Sequence, residues 1–170
     1  MNYLVVSDNH GDRQILVDLQ KKYAGKVDAM FHCGDSELPA DDPLWEQFVV
    51  VQGNCDYDPA YQTSQTIQVG TDRIYITHGD RSNVRFGLNV LSLEAQEAQA
   101  NIALFGHIHQ AVAEFDKGIL FVNPGSISQP RGPIQIPSYA LIESNDLHYA
   151  VQFYNRAFQP IEELQATFDR

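Results

Sequence analysis

The chain has 170 residues, of which 44% are hydrophobic and 19% are charged, and this composition is ordinary for one globular domain spanning residues 1–170. The formal net charge of −11 argues against partners such as long nucleic acid or an anionic membrane, because the surface would repel a polyanion. No stretch approaches the roughly 20 apolar residues that a membrane span needs. With no export signal and only Cys33 and Cys55, we expect two free thiols and a cytoplasmic location.

The first third of the chain alternates short apolar runs with a helical pattern. Ile15, Leu16, Leu19 and Tyr23 recur at helical spacing, and Asp12 stands where an N-cap is expected. Strands are predicted around this helix and after it, over residues 3–6, 29–31 and 49–51. The alternation is typical of βαβ units on a parallel sheet.

The rest of the chain is richer in strands. A strand pair is predicted over residues 66–69 and 73–77, followed by a helix over residues 82–99. Further short strands are predicted over residues 102–105, 111–115, 119–122, 139–142 and 147–154. We therefore expect an α/β protein with two sheets packed face to face and helices outside. The free strand edges of the second half are compatible with a homodimer.

Polar and metal-binding residue types follow five of the predicted strands. These clusters occupy residues 7–10, 32–35, 53–56, 77–80 and 105–109, and each ends in Asp or His. Taken singly, such an Asp is often a turn former or helix cap, and the neighbouring glycines are ordinary turn residues. Ligands in open α/β sheets bind outside the carboxyl ends of the strands, so we expect the five clusters to converge on one pocket.

The clusters supply a mixed set of imidazole, carboxylate and amide ligands. Seven side chains are candidates: Asp8, His10, Asp35, Asn54, His78, His107 and His109. This set suits borderline-hard divalent ions such as Mn²⁺, Fe²⁺, Zn²⁺, Co²⁺ or Ni²⁺. Seven ligands are too many for one such ion, whereas two ions that share one carboxylate use them all. A two-metal site can clamp the attacking and leaving oxygens of an in-line displacement at phosphorus.

The ordered motifs D-x-H, G-D, G-N, H and G-H-x-H resemble those of the calcineurin-like metallophosphoesterases. The resemblance extends from Asp8 to about Arg131 and is strongest to the small YfcE-type phosphodiesterases, relatives of the retromer subunit Vps29. It implies a four-layer α/β/β/α sandwich built on two mixed sheets. It also assigns the ligands of the first metal (Asp8, His10, His109), those of the second metal (Asn54, His78, His107) and the bridging ligand (Asp35).

The resemblance implies a metal-dependent phosphoric ester hydrolase. The expected reaction is in-line attack on a small phosphodiester by a hydroxide that bridges two divalent ions, with manganese the first candidate metal. Asn54 is both a ligand and a donor to the phosphoryl oxygens. Nucleotide-derived esters are among the candidate substrates. Two alternatives stay open: a phosphomonoesterase or pyrophosphohydrolase using the same metals, and a non-catalytic metal-binding scaffold of the same fold.

Position 55 departs from the family pattern. Many members carry a histidine after the asparagine of the G-N motif, and that histidine assists the departing alkoxide. Cys55 replaces it here. A thiol is a poorer proton donor than an imidazolium near neutral pH, so Cys55 is either a weak catalytic group or a small buried hydrophobe.

Overall fold

The computed structural model describes residues 1–170 as eleven strands and two α-helices. The helices are α1 (Arg13–Tyr23) and α2 (Asn89–Glu97). The first six strands are β1 (Asn2–Val6), β2 (Ala29–His32), β3 (Phe48–Val50), β4 (Ser64–Val69), β5 (Asp72–Thr77) and β6 (Ile102–Leu104). The others are β7 (Ala111–Asp116), β8 (Ile119–Pro124), β9 (Ser138–Ser144), β10 (His148–Asn155) and β11 (Pro160–Asp169).

The strands form two mixed sheets. The six-stranded sheet has the order β11-β10-β9-β1-β2-β3, in which β1, β2 and β3 are parallel neighbours. The five-stranded sheet has the order β4-β5-β6-β8-β7, with β5, β6 and β8 parallel. Strand β9 pairs with β1, β10 pairs with β9 and β11 pairs with β10, so both ends of the chain contribute to the same sheet.

Three apolar clusters separate the layers. In β1, Tyr3 and Val5 face the five-stranded sheet, whereas Leu4 and Val6 face α1, as the alternation of a strand requires. On the other side, α2 packs through Leu91 against the outer face of the five-stranded sheet. The layers are therefore helix, sheet, sheet and helix, which confirms the predicted α/β/β/α sandwich.

The sequence explains α1 well. Its apolar residues lie on one buried face, and the Asp12 side chain accepts a hydrogen bond from the Ile15 amide, as expected for an N-cap. Lys21 and Lys22 in the last turn are favourably placed at the negative end of the helix dipole. Neither α1 nor α2 is long and apolar enough to cross a membrane.

Two predictions about elements were wrong. The helix predicted over residues 82–99 is interrupted, because Gly87 has a φ of 124° and separates a short 3-10 turn (Val84–Phe86) from α2. The sequence analysis also missed β11, whose inward and outward residues alternate only partly between apolar and polar. Neither difference moves the strand ends that carry the polar clusters.

Candidate metal centre

The five polar clusters meet at one edge of the sandwich. The predicted ligands follow strand β1 (Asp8, His10), β2 (Asp35), β3 (Asn54), β5 (His78) and β6 (His107, His109). The loops after β1 and β2 are joined by a hydrogen bond from the Asp8 amide to the Gly34 carbonyl. The His107 amide donates to Asp8 Oδ2 at 3.3 Å and so links the two sheets.

The first group of donors surrounds Asp8. The ligand atoms of Asp8, His10, Asp35 and His109 all lie within 4.8 Å of one another. Asp8 Oδ1 is 3.0 Å from His109 Nε2 and 3.9 Å from His10 Nε2. Asp35 Oδ2 lies 4.0 Å from His10 Nε2. These are the three residues assigned to the first metal, together with the assigned bridge.

The second group surrounds Asn54. Its Oδ1 lies 3.0 Å from His78 Nε2 and 2.9 Å from His107 Nδ1. Asp35 Oδ2, which already borders the first group, is 3.3 Å from His78 Nε2. The structure therefore brings all seven predicted ligands together and places one carboxylate between the two groups.

Backbone carbonyls fix the tautomers of two imidazoles. His78 Nδ1 donates to the Cys33 carbonyl at 2.7 Å, and His109 Nδ1 donates to the Gln129 carbonyl at 2.8 Å. In the neutral rings Nε2 therefore carries the lone pair and faces the centre. His109 Nε2 lies 3.2 Å from His10 Nε2, which is close for two nitrogen atoms without a cation between them. Such carbonyl-anchored imidazoles are the usual arrangement of histidine metal ligands.

Asp8 supplies a second sign that the donors fit a metal. Its Oδ2 accepts from the Ser7 hydroxyl and the His107 amide. Its Oδ1 is buried and has no hydrogen-bond partner. A buried carboxylate oxygen without a partner is costly, and a divalent cation at this position would remove the cost. The donor set and its geometry therefore fit divalent ions.

The charges of the centre are strongly coupled. Burial alone would lower the pKa of His78, but the neighbouring Asp35 carboxylate raises it to about 9. Burial works against the ionised form of Asp35, yet hydrogen bonds from His78 and the Cys55 amide hold its pKa well below the usual range. Burial and the charges of His78 and Arg85 lower the pKa of His107. Asp35 is therefore a carboxylate at neutral pH, as a bridging ligand requires.

Asp56 holds the two loops that carry Asp35 and Asn54. Its buried carboxylate accepts from the amides of Asp35, Gly53 and Glu37 at 2.7–2.8 Å and from the Ser36 hydroxyl at 3.2 Å. Gly53 leaves no room for a side chain, because a Cβ there would lie 2.1 Å from Asp35 Oδ1. These contacts explain the glycine and the aspartate on either side of the ligand Asn54.

The end of β8 and the turn that follows it support the loops from the other side. The Asn123 side chain donates to the Gly106 carbonyl at 2.7 Å, and the Ser126 hydroxyl donates to the Asp8 carbonyl at 2.8 Å.

His32 precedes Asp35 in the sequence but is structural: it accepts from the Gly34 amide, and burial lowers its pKa to about 4.

Two residues near the centre were missed by the sequence analysis. Glu37 Oε1 lies 3.2 Å from His10 Nδ1 and so orients that imidazole. Arg85 Nε lies 3.0 Å from His107 Nε2 and brings a positive charge to the rim. The position of Glu37 two residues after Asp35 could have indicated that it lies near the centre. Arg85 could not be placed in this way, because it lay within the segment predicted as a continuous helix.

Cys55 lies beside the centre and is partly exposed. Its backbone amide donates to Asp35 Oδ1 at 2.7 Å. Its thiol accepts a hydrogen bond from the side-chain nitrogen Nδ2 of Asn54 at 3.5 Å. That contact turns Asn54 Oδ1 toward the imidazoles. Burial and the Asp35 carboxylate raise the pKa of Cys55 to about 11, so the thiol is protonated in the protein without metal.

Comparison with known proteins shows the family to which the chain belongs. Residues 1–147 match the model of the calcineurin-like phosphoesterase superfamily domain. The probable metallophosphoesterase YsnB of Bacillus subtilis is 38% identical over 165 residues, which are 97% of each chain. The phosphodiesterase YfcE of Escherichia coli K12 is 27% identical over 149 residues, covering 82% of this chain and 69% of YfcE.

A solved structure supports the same assignment. The crystal structure of a conserved protein from Streptococcus pneumoniae TIGR4, described as a predicted phosphoesterase, superposes with a TM-score of 0.97 at 43% identity. The match covers 99% of this chain and 97% of that one. The resemblance inferred from the motifs is thus confirmed by the family model, the relatives and the fold. The chain belongs to the calcineurin-like phosphoesterase superfamily.

Proposed function

We propose that this protein is a dinuclear-metal-dependent phosphodiesterase acting on small phosphodiesters. The observation that carries the proposal is the position of Asp35, whose Oδ2 borders both donor groups, 4.0 Å from His10 and 3.3 Å from His78. A single-metal site has no use for a carboxylate so placed between two sets of ligands. The relative YfcE is a phosphodiesterase, which supports the same class of reaction.

The chain's own residues prepare the site for an anionic diester. When bound, divalent ions supply Lewis-acid charge and an activated water nucleophile. The ionised Asp35 holds the two groups of ligands at a fixed separation, and the carbonyl-anchored His78 and His109 are oriented in advance, so little reorganisation is needed. Arg85 adds positive charge at the rim, where it can attract the phosphoryl oxygens.

The alternatives are less well supported. A non-catalytic metal-binding scaffold has no need of all seven ligands, yet all seven are present and lie together in two groups. A phosphomonoester or pyrophosphate carries more negative charge than a diester. Glu37, beside His10, would oppose that additional charge, so the diester is favoured.

We further propose that the leaving group departs with little help from a protein acid. Position 55 carries a thiol instead of an imidazole, and the alkoxide that leaves must be stable by itself. Esters with stable leaving groups are therefore the best substrates. A histidine at this position would reduce the difference in hydrolysis rate between esters with good leaving groups and esters with poor ones.

The proposal is tested by turnover of p-nitrophenyl diesters. Purified protein with Mn²⁺ is expected to hydrolyse bis(p-nitrophenyl) phosphate, to stop on addition of a chelator and to recover when Mn²⁺ is restored. Alkyl esters should react much more slowly than p-nitrophenyl esters, and Cys55→His should reduce this difference in rate. Absence of turnover with each of Mn²⁺, Fe²⁺, Co²⁺, Ni²⁺ and Zn²⁺ would favour the scaffold.

A further inference from the structure

A cavity of about 480 Å³ opens directly beside the metal centre. It is lined by Glu37, Leu38, Pro39, Cys55, Tyr57 and Asp58. Its inner wall is shared with the centre, because the donor atoms of Glu37 and Cys55 lie within 4.8 Å of each other and of His10. The cavity is therefore within reach of one of the two substituents of a diester held at the centre.

Tyr57 is the conspicuous residue of the cavity. Its side chain is 90% exposed, although large aromatic residues normally bury most of their surface. The loop around it is nevertheless well anchored. Asp56 on one side accepts four hydrogen bonds, and Asp58 on the other accepts from the amides of Ala40 and Ala60 at 2.9 and 3.0 Å. An aromatic ring on an anchored loop loses little entropy when a flat group stacks on it.

The other walls define the chemistry of the occupant. Leu38 and Pro39 offer an apolar surface, and the carboxylates of Glu37 and Asp58 add negative charge. Glu37 is exposed, and its Oε1 points toward His10, which leaves Oε2 as an acceptor. The cavity therefore disfavours a substituent with a second phosphate or a carboxylate. It favours a neutral, flat ring that carries N–H donors.

We propose that this cavity is a nucleobase subsite, in which the base of a nucleoside phosphodiester stacks on Tyr57 and donates a hydrogen bond to Glu37. The subsite rests on the proposed phosphodiesterase activity and narrows its substrate class to nucleoside esters without further anionic groups. Nucleobases combine a polarisable flat face with exocyclic amino groups, which are the two features that the walls recognise.

The test compares two chromogenic diesters that share a leaving group. One is the p-nitrophenyl ester of adenosine 5′-monophosphate, and the other is methyl p-nitrophenyl phosphate. The ratio of their kcat/KM values measures recognition of the nucleoside. Tyr57→Ala is expected to lower this ratio about 5- to 150-fold, the usual effect of losing one base-stacking aromatic side chain. Tyr57→Phe should preserve the ratio, because the phenyl ring still stacks.

Leu147→Ala is the matched control, since Leu147 is 77% exposed and lies in the turn between β9 and β10. This variant should leave both kcat/KM values unchanged. Binding provides a readout without turnover: Mn²⁺-loaded protein should bind adenosine 5′-monophosphate more tightly than inorganic phosphate, and Tyr57→Ala should remove the difference.

The test distinguishes failure of the nucleobase subsite from failure of the proposed phosphodiesterase activity. If the wild-type protein hydrolyses both esters and Tyr57→Ala leaves their ratio unchanged, the subsite is refuted while the phosphodiesterase proposal stands. If the wild-type protein hydrolyses neither ester, the proposed function is refuted and the substrate assignment with it. A substrate preference for esters with a second phosphate would also overturn the subsite.

Discussion

Asp35→Asn is expected to abolish both binding of two metal ions and diesterase activity. Asp35 Oδ2 borders both donor groups, and its ionised form is maintained by hydrogen bonds from His78 and the Cys55 amide. An asparagine keeps the shape but removes the charge that two cations share. Because loss of a residue that merely orients a ligand costs about 10- to 100-fold in metal affinity or activity, loss of the shared ligand should cost more than about 100-fold.

The measurement is metal content by elemental analysis together with turnover of bis(p-nitrophenyl) phosphate. Asp41→Asn is the matched control, since Asp41 is an exposed aspartate in the segment between β2 and β3. The control should retain wild-type values for metal content and turnover. Full activity of folded, metal-replete Asp35→Asn protein would refute the role of a shared carboxylate.

Asp56→Ala is expected to have the largest effect on folding stability. The buried carboxylate accepts from three amides and one hydroxyl. An alanine would leave the three amides without this partner, whereas the Ser36 hydroxyl would keep its contact with the Tyr61 hydroxyl. An unsatisfied buried donor costs about 1–3 kcal/mol, so we expect the free energy of unfolding to fall by about 3 kcal/mol or more. The loops of Asp35 and Asn54 should loosen as well, which would weaken metal binding.

Chemical denaturation of the metal-free protein measures the expected fall in the free energy of unfolding of Asp56→Ala. Asp58→Ala is the comparison, since Asp58 accepts from two amides and is only partly buried, and water can replace part of what is lost. Its free energy of unfolding should fall by clearly less than that of Asp56→Ala. Equal losses in the two variants would show that the Asp56 network does not hold the loops in place.

Much of the fold followed from local patterns. The alternation of short apolar runs with one helical stretch predicted the parallel core strands, because such strands are buried on both faces and their hydrophobicity is easily read. The extent of α2 did not follow, since an isolated glycine such as Gly87 is tolerated in a helical pattern and only its backbone conformation ends the helix. Strand β11 was missed because as an edge strand it is buried on one side at most.

The metal ligands could be predicted from the sequence for a physical reason. Each stands at the end of a strand, and the carboxyl ends of parallel strands meet, so residues about a hundred positions apart are placed together by topology alone. The supporting residues depend on loop conformation instead. The four hydrogen bonds of Asp56, the contact of Glu37 with His10 and that of Arg85 with His107 follow from turns that no periodic pattern reveals.

The central claim is that two divalent ions share Asp35, and anomalous diffraction from crystals grown with Mn²⁺ tests it most directly. We expect two peaks. One should lie among Asp8, His10, Asp35 and His109, and the other among Asp35, Asn54, His78 and His107. A single peak at saturating Mn²⁺, with the second group of donors empty, would contradict the dinuclear centre.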